Sequence, residues 1–214
     1  MRKISQDLWE TEAEYPFPGL STHAYLWAGP DGNVLFYNTS LPGEIEALTE
    51  LGGVQHQYLS HRDEIGPSLR TIKQRFGSAL HISTTEAPVA EDTCPVDGSF
   101  DRQQSEHGFE VIPTPGHTPG SACYLVPSAD GKTYLFTGDT IVRAAEGNWF
   151  AGYIPGHSDR DSLAKTLELL AGLTPDVVVS SAFSGDSGVT ELDRPWPDCV
   201  REARDELVSG AANT

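Results

Sequence analysis

The sequence predicts an α/β domain in which sheets are packed inside layers of helices. Strand-like runs of apolar residues alternate along the chain with segments whose apolar residues fall on one helical face. The 21 glycines and 15 prolines supply the turns that many short elements need. With 214 residues, 38% of them hydrophobic, the chain has the length and apolar content of one domain with a real core. We therefore predict a single domain spanning residues 1–214.

The first elements of this domain are short. Residues 1–20 are expected to form a lead-in segment in which two prolines limit regular structure. Strands follow at Ala24–Ala28 and Val34–Tyr37, joined by the turn sequence Gly-Pro-Asp-Gly. A helix is expected to begin at Pro42 and to end at the Gly-Gly pair of residues 52 and 53.

The middle of the chain continues the alternation. A strand over Gln55–Ser60 precedes a helix over Ser68–Phe76, and a second strand covers Ala79–Ser83. The polar segment Glu91–Arg102 is expected to be a loop because it contains a proline and a glycine and has no apolar period.

The second half predicts more strands and two amphipathic helices. A helix over Asp161–Ala171 has leucines at i, i+4 and i+7. The segment Asp176–Val179, which is apolar after its first residue, is predicted to be a strand buried on both faces. Residues 195–214 are expected to form a C-terminal helix, over Pro195–Val208, and a tail. Three further strands are predicted at Gly108–Ile112, Ala122–Val126 and Thr133–Phe136.

The charge of the chain excludes two classes of partner. Its 31 acidic and 14 basic residues give a formal net charge of −17. Such a surface repels phosphate backbones and anionic lipids, so we expect no nucleic-acid or membrane partner. Solubility is the simplest reason for the charge.

Cysteine usage and the N-terminus indicate a cytoplasmic protein. Cys94, Cys123 and Cys199 are far apart and odd in number, which favours free thiols over a disulfide framework or a zinc knuckle. The basic start is followed by polar residues where a signal peptide needs an apolar run, and no stretch is apolar enough to span a bilayer.

Three predicted strands end abruptly in side chains that bind metals or transfer protons. After the first, His61 and Asp63 point the same way in extended backbone and can converge on one point. After the second, His117 lies within Thr-Pro-Gly-His-Thr-Pro-Gly, and after the third Asp139 follows a permissive glycine. Each residue alone is more often a surface side chain or a turn former. Their order and context together indicate a site.

These segments resemble the motifs of the metallo-β-lactamase superfamily over roughly residues 20–190. In the family motif His-x-His-x-Asp-His, His61 takes the place of the second histidine and Asp63 that of the aspartate. His117 matches the histidine of the family's Pro-Gly-His-Thr-Pro-Gly loop, and Asp139 matches the metal-bridging aspartate of Thr-Gly-Asp-Thr. The resemblance implies a four-layer αββα sandwich with a metal site along one edge.

The chain also departs from the family pattern. Leu59 stands in place of the first histidine of the motif, and Glu64 replaces the last. Phe183 stands where the family has the histidine of a later Pro-Gly-His-Gly segment. Three of the five histidines of a dinuclear site are therefore missing.

The resemblance implies a reduced ligand set of His61, Asp63, Glu64, His117 and Asp139. One ion would keep His61, His117 and Asp139, which suits Zn(II), Fe(II) or Mn(II). The other ion would have only the oxygen atoms of Asp63, Glu64 and the shared Asp139, which bind zinc too weakly. Since converging carboxylates ionise together only beside a cation, we expect one divalent ion. The alternative is that no metal binds and that the carboxylates are solvated or protonated.

The leading functional hypothesis is a mononuclear metal-dependent hydrolase with a small-molecule substrate. It would activate water on an ester, thioester, lactone or phosphodiester, with Asp63 orienting the water or taking its proton. The first alternative is a non-catalytic binding protein, which the missing histidines favour. The second is a mononuclear iron oxygenase acting on a thiol or persulfide. His157, within Pro-Gly-His-Ser, could face the site from a later loop, but like His23 and His56 it is interpreted as an ordinary loop or buried histidine.

Overall fold

The computed structural model describes residues 1–183 and 187–210. Within them the strands, in chain order, are β1 (Arg2–Lys3), β2 (Leu8–Glu10), β3 (Glu14–Phe17), β4 (Leu20–Thr22), β5 (Tyr25–Gly29), β6 (Gly32–Phe36), β7 (His56–Tyr58), β8 (Ala79–Ser83), β9 (Gly98–Phe100), β10 (Gln104–Glu106), β11 (Phe109–Pro113), β12 (Ala122–Pro127), β13 (Thr133–Gly138), β14 (Ile141–Arg143), β15 (Trp149–Ala151), β16 (Val177–Ser180), β17 (Ala182–Phe183) and β18 (Val189–Glu191). The helices are α1 (Pro42–Glu50), α2 (Ser68–Phe76), α3 (Ala87–Glu91), α4 (Arg160–Leu170) and α5 (Trp196–Ser209), with a 3₁₀ turn at Arg62–Glu64. The predicted C-terminal tail at 211–214 lies outside the described residues.

Two large sheets form the centre of the fold. The first has the strand order β1-β2-β5-β6-β7-β8-β9, and the second has the order β10-β11-β12-β13-β16-β18. In the first sheet β6, β7, β8 and β9 run parallel, and in the second β13 and β16 do. Two small sheets, β14-β15 and β17-β4-β3, lie beside them.

Alternation along the strands divides the core into layers. In β12 and β13, Tyr124 and Phe136 belong to the cluster shared by both large sheets, whereas Cys123 and Leu135 pack against α4 and α5. This follows from the period of two in a strand, which sends successive side chains to opposite faces. A third cluster joins the first sheet to α2 and α3 through Leu59, Leu69, Leu80, Ile82, Ala90 and Cys94. The layers are therefore helix, sheet, sheet and helix, which confirms the predicted αββα sandwich.

Several predicted elements differ from those observed. Segment 1–20 contains β1, β2 and β3, with Pro16 in the exposed strand β3 at the edge of its sheet, where a missing N–H costs no ladder bond. The prediction that Glu91–Arg102 is a loop is wrong for three of its residues, which form strand β9. Their sequence carries no strand pattern, because β9 is stabilised by its pairing with β8. Helix α2 and strand β8 have the predicted bounds.

None of the helices in the described part of the chain is both long and apolar enough to cross a bilayer.

Candidate metal centre

The candidate site lies at the edge where β7, β13 and β16 end. Carboxyl ends of parallel strands meet at one edge of a sheet, and the residues that follow them converge there. His61 has an extended backbone, with φ −164° and ψ 172°, and the 3₁₀ turn after it brings Asp63 back toward the ring. The Oδ2 atom of Asp63 lies 3.9 Å from Nε2 of His61. The predicted convergence of these two side chains is present.

The His61 ring is held from its far side by Ser60 and Glu64. Nδ1 of His61 lies 2.8 Å from the Ser60 hydroxyl and 3.3 Å from Oε1 of Glu64. The Ser60 hydroxyl donates to Glu64 over 2.5 Å, so it accepts the Nδ1 proton of His61. A second Glu64 oxygen accepts from the backbone N–H of Ser60 at 2.7 Å. Nε2 of His61, the other ring nitrogen, is left to face the site.

His117 reaches the same point from the loop between β11 and β12. Nδ1 of His117 donates to the carbonyl oxygen of Gly152 at 2.6 Å, because a carbonyl only accepts. Nε2 is buried and has no hydrogen-bond partner within the described chain. It lies 3.5 Å from Oδ2 of Asp63 and 3.7 Å from Oδ2 of Asp139. Because buried polar atoms are nearly always paired, a buried acceptor nitrogen without a partner indicates a metal-ligand position.

Asp139 follows β13 at a break in the β13–β16 pairing. The register shifts between Phe136 and Gly138, and Gly138 has φ +52°. A Cβ at Gly138 would lie 2.2 Å from the Ser60 hydroxyl, so only glycine fits. Oδ1 of Asp139 accepts from the Ser181 hydroxyl and from the backbone N–H of Ala182, which leaves Oδ2 facing the site. Oδ2 lies 3.6 Å from Nε2 of His61.

The break in the sheet is bridged by the Tyr37 hydroxyl. It donates to the carbonyl oxygen of Val179 at 2.8 Å and accepts from the backbone N–H of Gly138 at 2.9 Å. Tyr37 itself is buried and has a positive φ of 69°, which costs energy for a residue with a Cβ. Its hydroxyl thereby fixes the backbone that presents Asp139.

A further histidine joins Asp63. Nε2 of His157 lies 3.1 Å from Oδ2 of Asp63, on the loop between β15 and α4. The side chain of Asp63 is 43% exposed, whereas His61 and His117 are each 2% exposed. Asp63 therefore stands at the mouth of the site, between the buried histidines and solvent.

Glu64 and Arg62 point away from the centre. Glu64 contacts Ser60 and the outer nitrogen of His61, so the structure places it behind a ligand position. Arg62 pairs with the fully buried Glu86, which also accepts from the Thr118 hydroxyl and the Gly120 N–H at 2.8 Å each. Glu86 thus ties the His61 turn to the His117 loop.

Electrostatics in the site favour a positive charge among its carboxylates. Burial alone would lower the pKa of His61, but Asp139 and Glu64 outweigh it and raise the pKa well above its ordinary value. Burial would raise the pKa of Asp139, but the charges of His61 and His117 hold it well below its usual range. The contact with the His117 ring, followed by the charge of His61, outweighs burial and lowers the pKa of Asp63. The histidine rings therefore favour the ionised form of the carboxylates, as a bound cation would.

The donor set fits a divalent ion. One nitrogen each from His61 and His117 and one oxygen from Asp139 lie within 4.8 Å of one another, and the orphaned Nε2 of His117 is among them. A tetrahedral zinc site with bonds of about 2.1 Å separates its ligand atoms by roughly 3.4 Å, close to the 3.6 and 3.7 Å between Asp139 and the two rings. Asp63, His117 and His157 form a second, more exposed group of donors that shares His117.

Two positions at which the chain lacks a family histidine, Leu59 and Phe183, are occupied by buried side chains that pack against other residues. The Leu59 side chain is fully buried in the cluster under α2 and α3, and its carbonyl oxygen accepts from the Tyr124 hydroxyl at 2.6 Å. Phe183 stacks on the His23 ring with centroids 4.8 Å apart. His23 is buried and its Nε2 lies 3.6 Å from the Glu10 carboxylate. Aromatic packing therefore occupies the region where the family has its last histidine.

Two clefts open on the centre. The larger, of about 630 Å³, is lined by His61, Asp63 and His157 on one side and by Phe17 and Leu20 of the β3–β4 hairpin on the other. The smaller, of about 360 Å³, contacts His117 and Asp139 and is otherwise mainly apolar. Small molecules can reach the centre from both sides.

Comparison with known proteins identifies the family. A sequence profile described as the Metallo-beta-lactamase superfamily matches residues 61–182, which is more than half of the chain. The chain therefore belongs to the metallo-beta-lactamase superfamily, as its motifs indicate.

Similar solved structures support the same fold. A metallo-beta-lactamase from Pontibacter korlensis has a TM-score of 0.72 at 20% identity, with 97% of each chain covered. A metallo-beta-lactamase from Cronobacter sakazakii, described by a HARLDQ motif, has a TM-score of 0.65 at 17% identity over 95% of this chain and 98% of that one. A protein designated TTHA1623, in a di-iron-bound form, has a TM-score of 0.65 at 21% identity over 84% of this chain and 92% of that one.

Sequence reasoning brought together four of the residues at the centre and undervalued others. His157 was interpreted as an ordinary loop histidine, yet it contacts Asp63. Glu86 and Tyr37 carry no motif, and their roles depend on contacts with residues 32 and 101 positions away. The signal for His157 is its Pro-Gly-His-Ser segment, which allows the ring to face the site but does not by itself distinguish it from an ordinary loop histidine.

Proposed function

We propose that this chain is a metal-dependent hydrolase whose centre holds a single divalent ion on His61, His117 and Asp139. The observation that carries the proposal is the buried, unpartnered Nε2 of His117, set among the donors of His61, Asp63 and Asp139. The residues around these donors orient them as partners of metal ligands do. Gly152 fixes one ring, Ser60 with Glu64 fixes the other, and Ser181 fixes the carboxylate.

A single ion is favoured over two because the groups expected for a second one are engaged elsewhere. Glu64 is hydrogen-bonded to Ser60, Leu59 is buried under α2, and Phe183 stacks on His23. The di-iron form of TTHA1623 keeps iron, beside zinc and manganese, among the ions to be tested.

When bound, the ion supplies Lewis-acid polarisation of a substrate oxygen and lowers the pKa of water. Asp63 is the residue placed to orient that water and take its proton, because its Oδ2 lies 3.5 Å from Nε2 of His117 and it borders solvent. His157, 3.1 Å from the same oxygen, holds the carboxylate in place and can pass the proton outward. Asp63 and His157 therefore form the proton-handling pair.

The larger cleft favours an uncharged acyl substrate. The larger cleft is lined by Glu14, Asp63, Glu64 and Asp139, and none of the described residues lining it is Lys or Arg. A phosphodiester would meet these carboxylates without a cationic side chain to bind its charge. Among the four substrate classes expected from the sequence, esters, thioesters and lactones are therefore favoured.

The test is hydrolysis by the intact protein loaded with Zn(II), Fe(II) or Mn(II). Chromogenic esters, thioesters, lactones, a β-lactam and a phosphodiester are compared for wild type, Asp63→Asn and, as a matched surface control, Asp92→Asn. The proposal expects turnover of an acyl substrate that falls at least 100-fold in Asp63→Asn and is unchanged in Asp92→Asn. Equal rates in all three proteins would overturn it and favour the non-catalytic binding alternative. Oxygen uptake with a thiol and iron would favour the oxygenase alternative instead.

A further inference from the structure

A second cluster of histidines lies at the opposite end of the sandwich. His56 begins β7, His81 lies in the middle of β8, and His107 lies in the turn between β10 and β11. The candidate metal centre begins at His61, at the other end of β7. Five residues of extended chain separate His56 from His61, which is roughly 16 Å. This cluster is therefore distinct from the centre described above.

The three imidazoles meet in a geometry that suits one ion. Nδ1 of His56 lies 3.2 Å from Nε2 of His81, and one nitrogen from each of the three rings lies within 4.8 Å of the others. A tetrahedral ion with Zn–N bonds of about 2.0 Å separates its ligands by roughly 3.3 Å. All three histidines are partly exposed, so an ion can reach them from solvent.

The ring of His81 is held in place by the residues on either side of it. Tyr58 stacks flat on His81, with centroids 4.3 Å apart and planes at 3°, and donates from its hydroxyl to Glu106 at 2.6 Å. Opposite His81 in the neighbouring strand is Gly98, where a Cβ would lie 2.5 Å from Nδ1 of His81. A side chain at residue 98 would displace the ring. The position of His81 is thus defined from both sides.

The alternative is a purely structural role, in which the three rings pack over the end of the hydrophobic core. That reading explains the stacking of His56 on His107, with centroids 3.7 Å apart. A hydrogen bond from one neutral ring to the other explains the 3.2 Å between Nδ1 of His56 and Nε2 of His81. It does not account for the third histidine, His107 from the other sheet, whose ring nitrogen lies within 4.8 Å of a nitrogen of each of the other two. An ion bound by all three nitrogens accounts for that convergence.

We propose that His56, His81 and His107 form a second metal site, for one divalent ion that prefers nitrogen ligands. Imidazole ligands suit Zn(II), Ni(II) and Cu(II), and three protein ligands leave a fourth position for water. The ion would join β7 and β8 of the first sheet to the β10–β11 turn of the second. Its expected effect is to stabilise the packing of the two sheets.

The test counts zinc in tag-free protein whose first centre has been disabled by His117→Ala. His117→Ala is compared with His117→Ala/His107→Asn and, as a control on the same hairpin, His117→Ala/Ser105→Asn. Asparagine tolerates the positive φ of 47° at residue 107, so the turn is kept while the ring is lost. After chelation and reloading with Zn(II), bound metal is measured by elemental analysis. Circular dichroism checks that each protein is folded.

The proposal expects the His107→Asn double variant to hold about one equivalent less zinc than the other two proteins. Equal zinc content in all three, or none in His117→Ala, would overturn it. If His107→Asn fails to fold, NMR of the histidine rings in His117→Ala gives the answer without it. Zinc should shift the ring signals of His56, His81 and His107 together, and unchanged ring signals would contradict the proposal.

Discussion

Nδ1 of His117 lies 2.6 Å from the carbonyl oxygen of Gly152, and this contact decides which ring nitrogen faces the centre. With Nδ1 donating, Nε2 is an unprotonated acceptor that lies 3.7 Å from Asp139. Gly152 also packs against the backbone of Asp139, since a Cβ there would lie 1.7 Å from the Asp139 carbonyl oxygen. One glycine therefore supports two of the residues proposed to hold the ion.

Replacing Gly152 with alanine should weaken metal binding without removing a ligand. The added methyl group must displace Asp139 or His117, so we expect metal affinity to fall at least tenfold. The free energy of unfolding should fall by roughly 1–3 kcal/mol. Metal titration and urea unfolding measure the two effects. Gly43→Ala is the control, because its Cβ meets nothing within 4 Å, and equal affinities in the two variants would contradict the prediction.

Replacing Glu64 with glutamine tests whether this residue positions His61 or binds the ion. The amide keeps the size of the side chain but removes the charge that supports Nδ1 of His61 through Ser60. A positioning residue predicts the same metal stoichiometry with affinity lower by about 10- to 100-fold. If Glu64 binds the ion directly, as the motif resemblance suggests, the substitution should change the ligand-field absorption bands of the Co(II)-substituted protein. Absorption spectra of wild type and Glu64→Gln, each with Co(II) bound, distinguish the two outcomes.

Replacing Tyr37 with phenylalanine should destabilise the break between β13 and β16. The variant leaves the N–H of Gly138 and the carbonyl of Val179 without their partner in a buried region. The expected loss in the free energy of unfolding is about 1–3 kcal/mol. Chemical denaturation measures it, with Tyr15→Phe as the control because Tyr15 is 75% exposed. A loss no larger than that of the control would show that the hydroxyl does not hold the strands.

Metal binding at the candidate centre should release a proton. The carboxylates of Asp139 and Glu64 raise the pKa of His61 well above its ordinary value despite burial, so we expect the ion-free ring to carry a second proton. An ion binds only the neutral ring, so affinity should rise with pH, by up to tenfold per unit, until the pH passes the raised pKa. Calorimetry at pH 7 in buffers of different ionisation enthalpy should report about one proton per ion. The titration uses His107→Asn, which removes a ligand of the proposed second site, and heats independent of the buffer would refute the prediction.

The sequence predicted those parts of the fold and site that depend on local pattern. His61 and Asp63 follow one strand, and His117 and Asp139 follow two others, so strand ends and constrained loops were enough to place all four at one edge. Helix α4 was recognisable because its leucines recur at the helical period. These features depend on residues that are close together in the sequence.

The remaining features depend on pairing across the chain. His56 and His81 are 25 residues apart and meet because β7 and β8 pair in parallel with Tyr58 opposite His81. Glu86 joins Arg62 to Thr118 although no motif marks it. Strand β9 has three residues and pairs only with β8. No local pattern specifies the register or the loop path that brings such residues together.

The most direct test of the proposed centre is the metal content of tag-free wild type beside His117→Ala and Asp92→Ala. Each protein is stripped with a chelator, reloaded separately with Zn(II), Fe(II) or Mn(II), desalted and measured by elemental analysis. Asp92 is exposed and far along the chain from the ligands, so its variant controls for the handling. The account predicts that wild type and Asp92→Ala hold one equivalent more of at least one ion than His117→Ala. The same metal content in all three proteins, for every ion, would contradict it.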